Sequence, residues 1–305
     1  MGRIIVTGGL GFIGSHFVNL LHTKTKDEII IVDKLTYAAN TSNVKVPHTL
    51  IEKDICDVTE SDLGEFDYII NFAAESHVDN SIKNGLPFVK TNVQGTFNLI
   101  EISRKNKNLK KFVQISTDEV YGDLEKHSKK ISSDESFDLN PSSYYSATKT
   151  SSDLLVMSAN KTYGLPFIIT RTCNNYGENQ HGEKFIPTII NSINENRDIP
   201  LYGDGNQIRE WIHADDNAEA IIKIIFSDKI NEIYNIGTNE TYTNNELIKM
   251  VGKILNKKVS YKYVTDRPGH DRRYTLNSKK FVYDFGGIQK IKLEDWINKI
   301  LLSNK

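Results

Sequence analysis

The chain has 305 residues, and its 38 basic and 39 acidic side chains leave a net charge of −1. That balance creates no global field towards nucleic acid or an anionic membrane surface. A chain this long can also bury a sizeable core without disulfide or metal staples. Cys56 and Cys173 lie far apart and outside any C-x-x-C spacing, and the eight histidines form no H-x-x-x-H pair, so no metal is expected. No apolar run approaches the ~20 residues of a membrane span. The opening MGRIIVTGG runs straight into glycines, so it reads as a strand and not a signal peptide. A cytoplasmic protein is expected.

Segments 4–7, 29–33, 49–52, 68–73, 112–116 and 167–170 are short, apolar and mostly β-branched, the pattern of strands buried on both faces. Helical periods fall between them at 12–24, 86–106 and 143–164. This alternation predicts an α/β fold: a doubly wound, Rossmann-type parallel sheet followed by a smaller C-terminal α/β lobe. The expected division is 1–172 for the first domain, with 211–236 rejoining it, and 173–210 plus 237–305 for the second lobe.

The stretch VTGGLGFIGSH follows the first strand and opens the first helix, with Gly8, Gly11 and Gly14 at the spacing of a dinucleotide fingerprint. Such glycines allow a tight turn, close approach to a pyrophosphate, and a helix N-terminus aimed at its charge. Asp33 ends the next strand, 19 residues after Gly14. An acid there accepts hydrogen bonds from the adenosine ribose and repels a 2′-phosphate, which favours NAD over NADP, although Lys34 beside it works the other way. Asp54 and Ile55 follow the third strand, where they could frame the adenine. Ala73 and Ala74 are small where a backbone must pass close to the cofactor.

Residues 116–123 read STDEVYGD and set two acids, Asp118 and Glu119, after a buried run. Alone, they would read as a solvated turn. One loop later come Tyr145 and Lys149, which share a face of a helix at i and i+4. An ammonium beside the phenol and an oxidised nicotinamide both favour phenolate, a base for a sugar hydroxyl.

The fingerprint, the Tyr-x-x-x-Lys pair and an upstream Thr resemble the extended short-chain dehydrogenase/reductase superfamily. Within it, DKLTYAAN (33–40), AAESHVDNSI (73–82), STDEVYGD, NNYG (174–177), EKFIP (183–187), YGDGNQIREW (202–211), YNIG (234–237) and DRPGHDRRY (266–274) resemble the nucleotide-sugar 4,6-dehydratases. The thymidine-type members, which act on dTDP-glucose, match best, with UDP-glucose the alternative substrate. The resemblance implies that Asp118 is the acid at the C6 hydroxyl and Glu119 the base at C5. Thr117 and Tyr145 would then hold the C4 hydroxyl, with Lys149 beside them. It further implies NAD contacts from Phe12, Ile13, Asp33, Lys34, Leu35, Thr36, Asp54, Ile55, Ala73, Ala74, Thr91, Tyr145, Lys149 and Asn175. Nucleotide-sugar contacts are implied for Ser76, Asn174, Lys184, Phe185, Pro200, Tyr202, Arg209, Asn235, Arg267 and His270. The three arginines and one histidine of 267–273 suggest an anion clamp for the pyrophosphate. A homodimer through a four-helix bundle of 86–106 and 143–164 is also implied.

The chain departs from the family pattern at Asn179-Gln180-His181-Gly182, at Thr172-Cys173 and at Phe285-Gly286-Gly287. Two competing readings remain. A nucleotide-sugar 4-epimerase or decarboxylase shares the 4-keto step but needs no acid pair. A catalytically silent NAD-sensing protein has little use for Tyr145, Lys149 and both acids together.

Overall fold

Alternate residues of a strand face opposite ways, and the first strand already defines two apolar layers. Ile4 and Val6 join one buried cluster while Ile5 joins another. The computed structural model describes residues 2–125, 127–128, 131–288 and 291–303, with side chains up to 300. In chain order the elements begin with β1 (Arg3–Thr7), α1 (Phe12–Leu21), β2 (Glu28–Asp33), β3 (Thr49–Glu52), α2 (Glu60–Leu63), β4 (Tyr68–Asn71), α3 (Val78–Lys83) and α4 (Leu86–Phe88). A π-helical segment, Val89–Gly95, leads into α5 (Thr96–Ser103) and β5 (Lys111–Thr117). A 3₁₀ turn, Asp118–Tyr121, precedes α6 (Tyr144–Tyr163) and β6 (Phe167–Thr172). Then come β7 (Asn174–Tyr176), α7 (Phe185–Asn194), β8 (Ile199–Tyr202), β9 (Ile208–His213), α8 (Ala214–Ile225) and β10 (Glu232–Ile236). The chain continues through β11 (Thr241–Thr243), α9 (Asn244–Leu255), β12 (Tyr261–Val264), α10 (Lys279–Phe285) and α11 (Leu293–Ser303).

Seven strands form one parallel sheet in the order β10-β6-β5-β4-β1-β2-β3. α1 and α8 bury Phe17, Leu21, Ile221 and Ile224 on one face, and α5 and α6 bury Leu99, Ile102 and Val156 on the other. A third apolar cluster, with Ile189, Trp211, Leu247 and Trp296, sits among α7, α9, α11 and two small sheets, β11-β9-β7 and β12-β8. Residues 232–236 pair with β6 in the large sheet, whereas 208–213 pair with β7 and β11. α10 also lies on the large sheet's layer, its Phe281 ring 6.3 Å from Tyr234.

Four sequence expectations change in detail. The 49–52 strand is the sheet edge and is largely exposed, so it is not buried on both faces. The 68–73 strand stops at Asn71, whose carboxamide accepts from Thr7 Oγ1 (2.6 Å) and donates to Gln114 (2.9 Å). The 12–24 helix ends at Leu21. The 86–106 helix contains the π segment, where Asn92 holds both backbone groups of Glu75 and brings Thr91 to the cleft.

The orphan carbonyls at the end of α8 are met by a buried ammonium: Lys111 Nζ donates to Ile224 O (2.9 Å), Ile225 O (2.9 Å) and Ser227 O (2.6 Å). Replacing it with methionine leaves those carbonyls without their donor. Lys111→Met should therefore cost about 2–3 kcal/mol, read as a lowered urea midpoint at unchanged slope.

Candidate active site

In a parallel sheet every strand C-terminus reaches the same edge. Here the chain winds outward from β1 to β2 and β3, then crosses to β4 and the strands beyond. A crevice opens at that reversal. It is a cleft of about 320 Å³, lined by residues from the glycine turn through Lys184.

The cofactor end is built from backbone. α1 starts at Gly11 with no side-chain cap, which leaves its first N–H groups open to an anion. A Cβ on Gly14 would lie 2.3 Å from Gly8 O, so only glycine lets the helix begin so close to the turn. Asp33 is buried, accepting from the N–H groups of Leu10 (3.1 Å) and Leu35 (3.0 Å). Burial raises its pKa, and those bonds oppose the rise. The Lys34 ammonium turns away to Thr91 (3.1 Å), Glu75 (3.4 Å) and Asp54 (3.7 Å), so it is already partnered by carboxylates. Burial pushes Asp54 up, but the Cys56 N–H and Lys34 prevail and hold it low. The dinucleotide features expected at this end are therefore present, and the residues fit NAD. Of the expected cofactor set only Leu35 does not line the cleft. Its φ of 53° turns its side chain onto the apolar core, leaving its N–H to orient Asp33.

The reactive end hangs from β5. Thr117 caps the 3₁₀ turn, accepting from Glu119 N at 3.3 Å. Gly122 closes it at φ 73°, where a Cβ would meet Asn140 O at 2.0 Å. Asp118 is 3 % exposed, and its Oδ1 accepts from Thr117 Oγ1 at 3.2 Å. Its Oδ2 has no partner among the described residues. Burial, then Glu119 and Glu210, pushes Asp118 well above the usual carboxylate range. Burial raises Glu119 too, but Arg267, Arg209 and Lys184 oppose it. The two acids are thus neighbours in unlike fields.

Ser143 and Ser146 form a capping box that starts α6, placing Tyr145 in the first turn and Lys149 one turn on. Among the described residues no hydrogen bond joins the Lys149 ammonium to the Tyr145 phenol. Lys149 Nζ donates instead to Ile115 O at 2.6 Å, and burial lowers its pKa to about 8 against the pull of Asp153. Burial and the negative field of Glu119 push the Tyr145 phenol up, opposed by a Thr117 hydrogen bond, so the free protein holds it protonated.

Ser76, Thr117, Asn174 and Lys184 line the same cleft, and Lys184 Nζ reaches Ser76 O at 3.3 Å. Phe185 opens α7 beside them and packs on the third apolar cluster. Tyr202, Arg209, Arg267 and His270 gather beside the reactive end, with Arg209 and Arg267 carrying the positive charge that Glu119 feels. The Tyr202 and His270 rings lie 6.1 Å apart, and Arg209 stacks on Tyr274. Burial and the two arginines lower His270 to about 4, so it is neutral. Pro200 is exposed on β8, opposite Lys262.

Two expectations fail on geometry. Asn235 is fully buried; it accepts from Tyr121 and donates to Ser133 O, so its carboxamide is committed inside the protein. Of the three clustered arginines, Arg272 forks onto Asp204, and Arg273 donates to the carbonyls of Ile131, Leu124 and Ser128. Arg267 alone remains for the clamp. The divergent loop does reach the cleft: Gln180 donates to Asn175 O at 2.9 Å, and the His181 ring lies 5.3 Å from Tyr37.

Sequence reasoning missed the buried pair Asp153–Arg171 (3.0 Å) behind the site and Asp79 at its outer rim. The first had a signal: Asp153 lies at i+4 from Lys149 on a helix already identified. Asp79 sits inside the AAESHVDNSI motif, but nothing local marks its role, because its partners are more than a hundred residues away.

Comparison with known proteins agrees with this arrangement. The family model described as "NAD dependent epimerase/dehydratase family" matches residues 4–237. The chain belongs to that family. It is 42% identical over 285 residues to the low-salt glycan biosynthesis protein Agl12 of Haloferax volcanii, covering 91% of this chain and 90% of that one. It is 39% identical over 328 residues to the dTDP-glucose 4,6-dehydratase of Haemophilus influenzae, covering 98% and 96%. The crystal structure of DesIV, a dTDP-glucose 4,6-dehydratase from Streptomyces venezuelae with NAD bound, superposes with a TM-score of 0.92 at 40% identity, covering 97% and 95%. The resemblance read from the motifs is borne out, as are the Rossmann-type fold and NAD as cofactor.

Asp118 also carries a stability consequence. Its folded pKa lies above the usual 3.8, so the folded state holds a proton the unfolded chain has lost, and stability falls as pH rises above that value. Asp118→Asn removes the decline. The variant should be more stable than the parent near neutrality, with the difference in melting temperature narrowing towards pH 4.

Proposed function

We propose that the protein catalyses the NAD-dependent 4,6-dehydration of a nucleoside-diphosphate glucose, dTDP-glucose before UDP-glucose, giving the 4-keto-6-deoxy sugar. The observation that carries the reading is the adjacent pair Asp118–Glu119, in unlike fields, facing the same cleft as Tyr145 and Lys149. NAD, when bound, stores the hydride taken from C4 and gives it back at C6. Tyr145 is protonated in the free protein, and the positive charge of an oxidised nicotinamide would favour its phenolate; in that form, with Thr117, it takes the proton of the C4 hydroxyl. The resulting ketone acidifies C5–H, which Glu119 removes as Asp118 protonates the departing C6 hydroxyl, so one water leaves. Glu119 then returns a proton to C5, and the sugar ends with no net redox change. Asp118, held protonated by burial, suits the acid's role; Glu119, eased by three cations, suits the base's. An epimerase has no work for this pair.

On the same reading, 1–172 with 211–236 carries NAD, while 173–210 and 237–305 hold the nucleotide sugar through Asn174, Lys184, Tyr202, Arg209, Arg267 and His270, with Ser76 reaching it from the NAD-binding part. The chain works in the cytoplasm as a homodimer. What supports the dimer is the apolar surface on the two expected bundle helices: Leu86, Phe97, Tyr144 and Leu154 are each at least half exposed.

Purified protein incubated with dTDP-glucose, UDP-glucose and UDP-N-acetylglucosamine should turn over the first fastest, with a product lighter by one water. No external oxidant should be needed, and deuterium from D₂O should appear at C5. One methyl separates the two pyrimidines, so the preference should be about 10- to 200-fold. Steady accumulation of reduced cofactor would point to a simple dehydrogenase.

The acids should separate kinetically. Glu119→Gln should abolish C5–H exchange, and Asp118→Asn should stall elimination after C4 oxidation. Each should cost about 10²–10⁴ in kcat with nucleotide binding retained. Near-normal turnover in both variants would remove the acid pair from the mechanism.

A further inference from the structure

Asp79 lies in the first turn of α3, just after the cleft-lining residues Ala73–Ser76, with His77 capping the helix. Its carboxylate leaves that element and reaches two residues of the second lobe. Oδ1 accepts from Arg267 Nη1 at 2.9 Å, and Oδ2 accepts from the Tyr202 hydroxyl at 3.0 Å. The Arg267 fork is only part used: its Nε is buried and has no partner among the described residues. A buried guanidinium N–H without an acceptor is costly, and a planar fork suits two oxygens of one phosphate. Arg267 also lies near enough to Glu119 to lower its pKa, so the group stands over the reactive end.

We propose that Asp79 is a positioning residue for the substrate's diphosphate: it grips one corner of Arg267 and the Tyr202 hydroxyl so that the free edge of the guanidinium meets the phosphate oxygens. This rests on the nucleotide-sugar reading above. The carboxylate acts through Arg267 and need not touch the ligand. Neutral His270, in ring contact with Tyr202, adds no second cation to compete for it. The arrangement also ties α3, on the cofactor side, to the 267 loop.

The test is calorimetric titration of NAD-loaded protein with dTDP and with UDP, alongside KM and kcat for dTDP-glucose. Asp79→Ala should weaken both nucleotides and raise KM by about 10- to 100-fold, with kcat changed far less. NAD affinity should stay at the parent value, while the lost Arg267 and Tyr202 bonds lower the melting temperature modestly; a merely structural residue would lower NAD affinity and kcat along with nucleotide binding. Asp79→Asn keeps one acceptor for Arg267 and should recover most of the loss; it also serves if the alanine variant folds poorly. In an Arg267→Ala background, Asp79→Ala should add nothing, because the residue it positions has gone. Undiminished nucleotide binding in Asp79→Ala, effects that add in the double variant, or tighter binding in Asp79→Asn would overturn the inference. The last result would make Asp79 a competitor for the fork. A parent protein that binds neither nucleotide would instead overturn the nucleotide-sugar reading, and this inference with it.

Discussion

Arg171 is 2 % exposed and sits behind the acid pair, bonded through Nε to the fully buried Asp153 at 3.0 Å. Most of the reactive end depends on that ion pair. Asp153 lies one turn along α6 from Lys149 and is the charge that opposes the desolvation of its ammonium. Arg171 Nη1 donates to the Tyr121 hydroxyl at 2.9 Å, and Tyr121 donates on to Asn235 at 2.8 Å. Tyr121 closes the turn that carries Asp118 and Glu119. One guanidinium therefore holds the helix of the Tyr-Lys pair, the turn of the acid pair and the strand β10 in a single arrangement. Removing one partner of such a pair leaves a bare buried charge and costs about 3–5 kcal/mol.

The site in front of this scaffold works by contrast. Asp118 has one oxygen without a partner among the described residues, and burial with the charges of Glu119 and Glu210 outweighs Arg209 and holds its pKa well above the usual carboxylate range. Glu119, one residue along, looks towards Lys184, Arg209 and Arg267 and gives its proton up more readily. Such a difference between adjacent residues needs a wall of protein on one side and a cationic rim on the other. The large sheet supplies the wall, and the smaller sheets with the 267 loop supply the rim. The unpartnered Asp118 oxygen and the Gly122 turn are poor choices for stability alone, which is what a site set up for proton transfer entails.

Chain topology explains why both halves meet the cofactor. β1 is flanked by β2 and β4, and the crossover between them opens the crevice where the uncapped start of α1 faces outward. Everything placed after a strand C-terminus along that edge, from Asp33 to Ala73 to Asp118, looks into the same space.

The elements with local causes were legible in the amino-acid order. β-Branched runs marked the strands, the glycine triplet marked the turn into α1, and the helical period over 143–164 matched α6 to within a residue at each end. The cofactor end and the acid pair were legible for the same reason, since each is a short segment whose chemistry is set by its own residues. Long-range partners were not. Lys149 satisfies i,i+4 spacing with Tyr145, yet its ammonium chose a carbonyl on β5; Asn235 belongs to a matching motif, yet its carboxamide is spent on Tyr121 and Ser133. Arg272 and Arg273 look like the clamp as much as Arg267 does, until Asp204 and three backbone carbonyls claim them. Sequence by itself determined which groups the protein carries and on which elements. Tertiary structure alone decided which of them are buried, which are paired and which remain free, because hydrogen bonds and desolvation depend on what folds against a side chain and not on what precedes it.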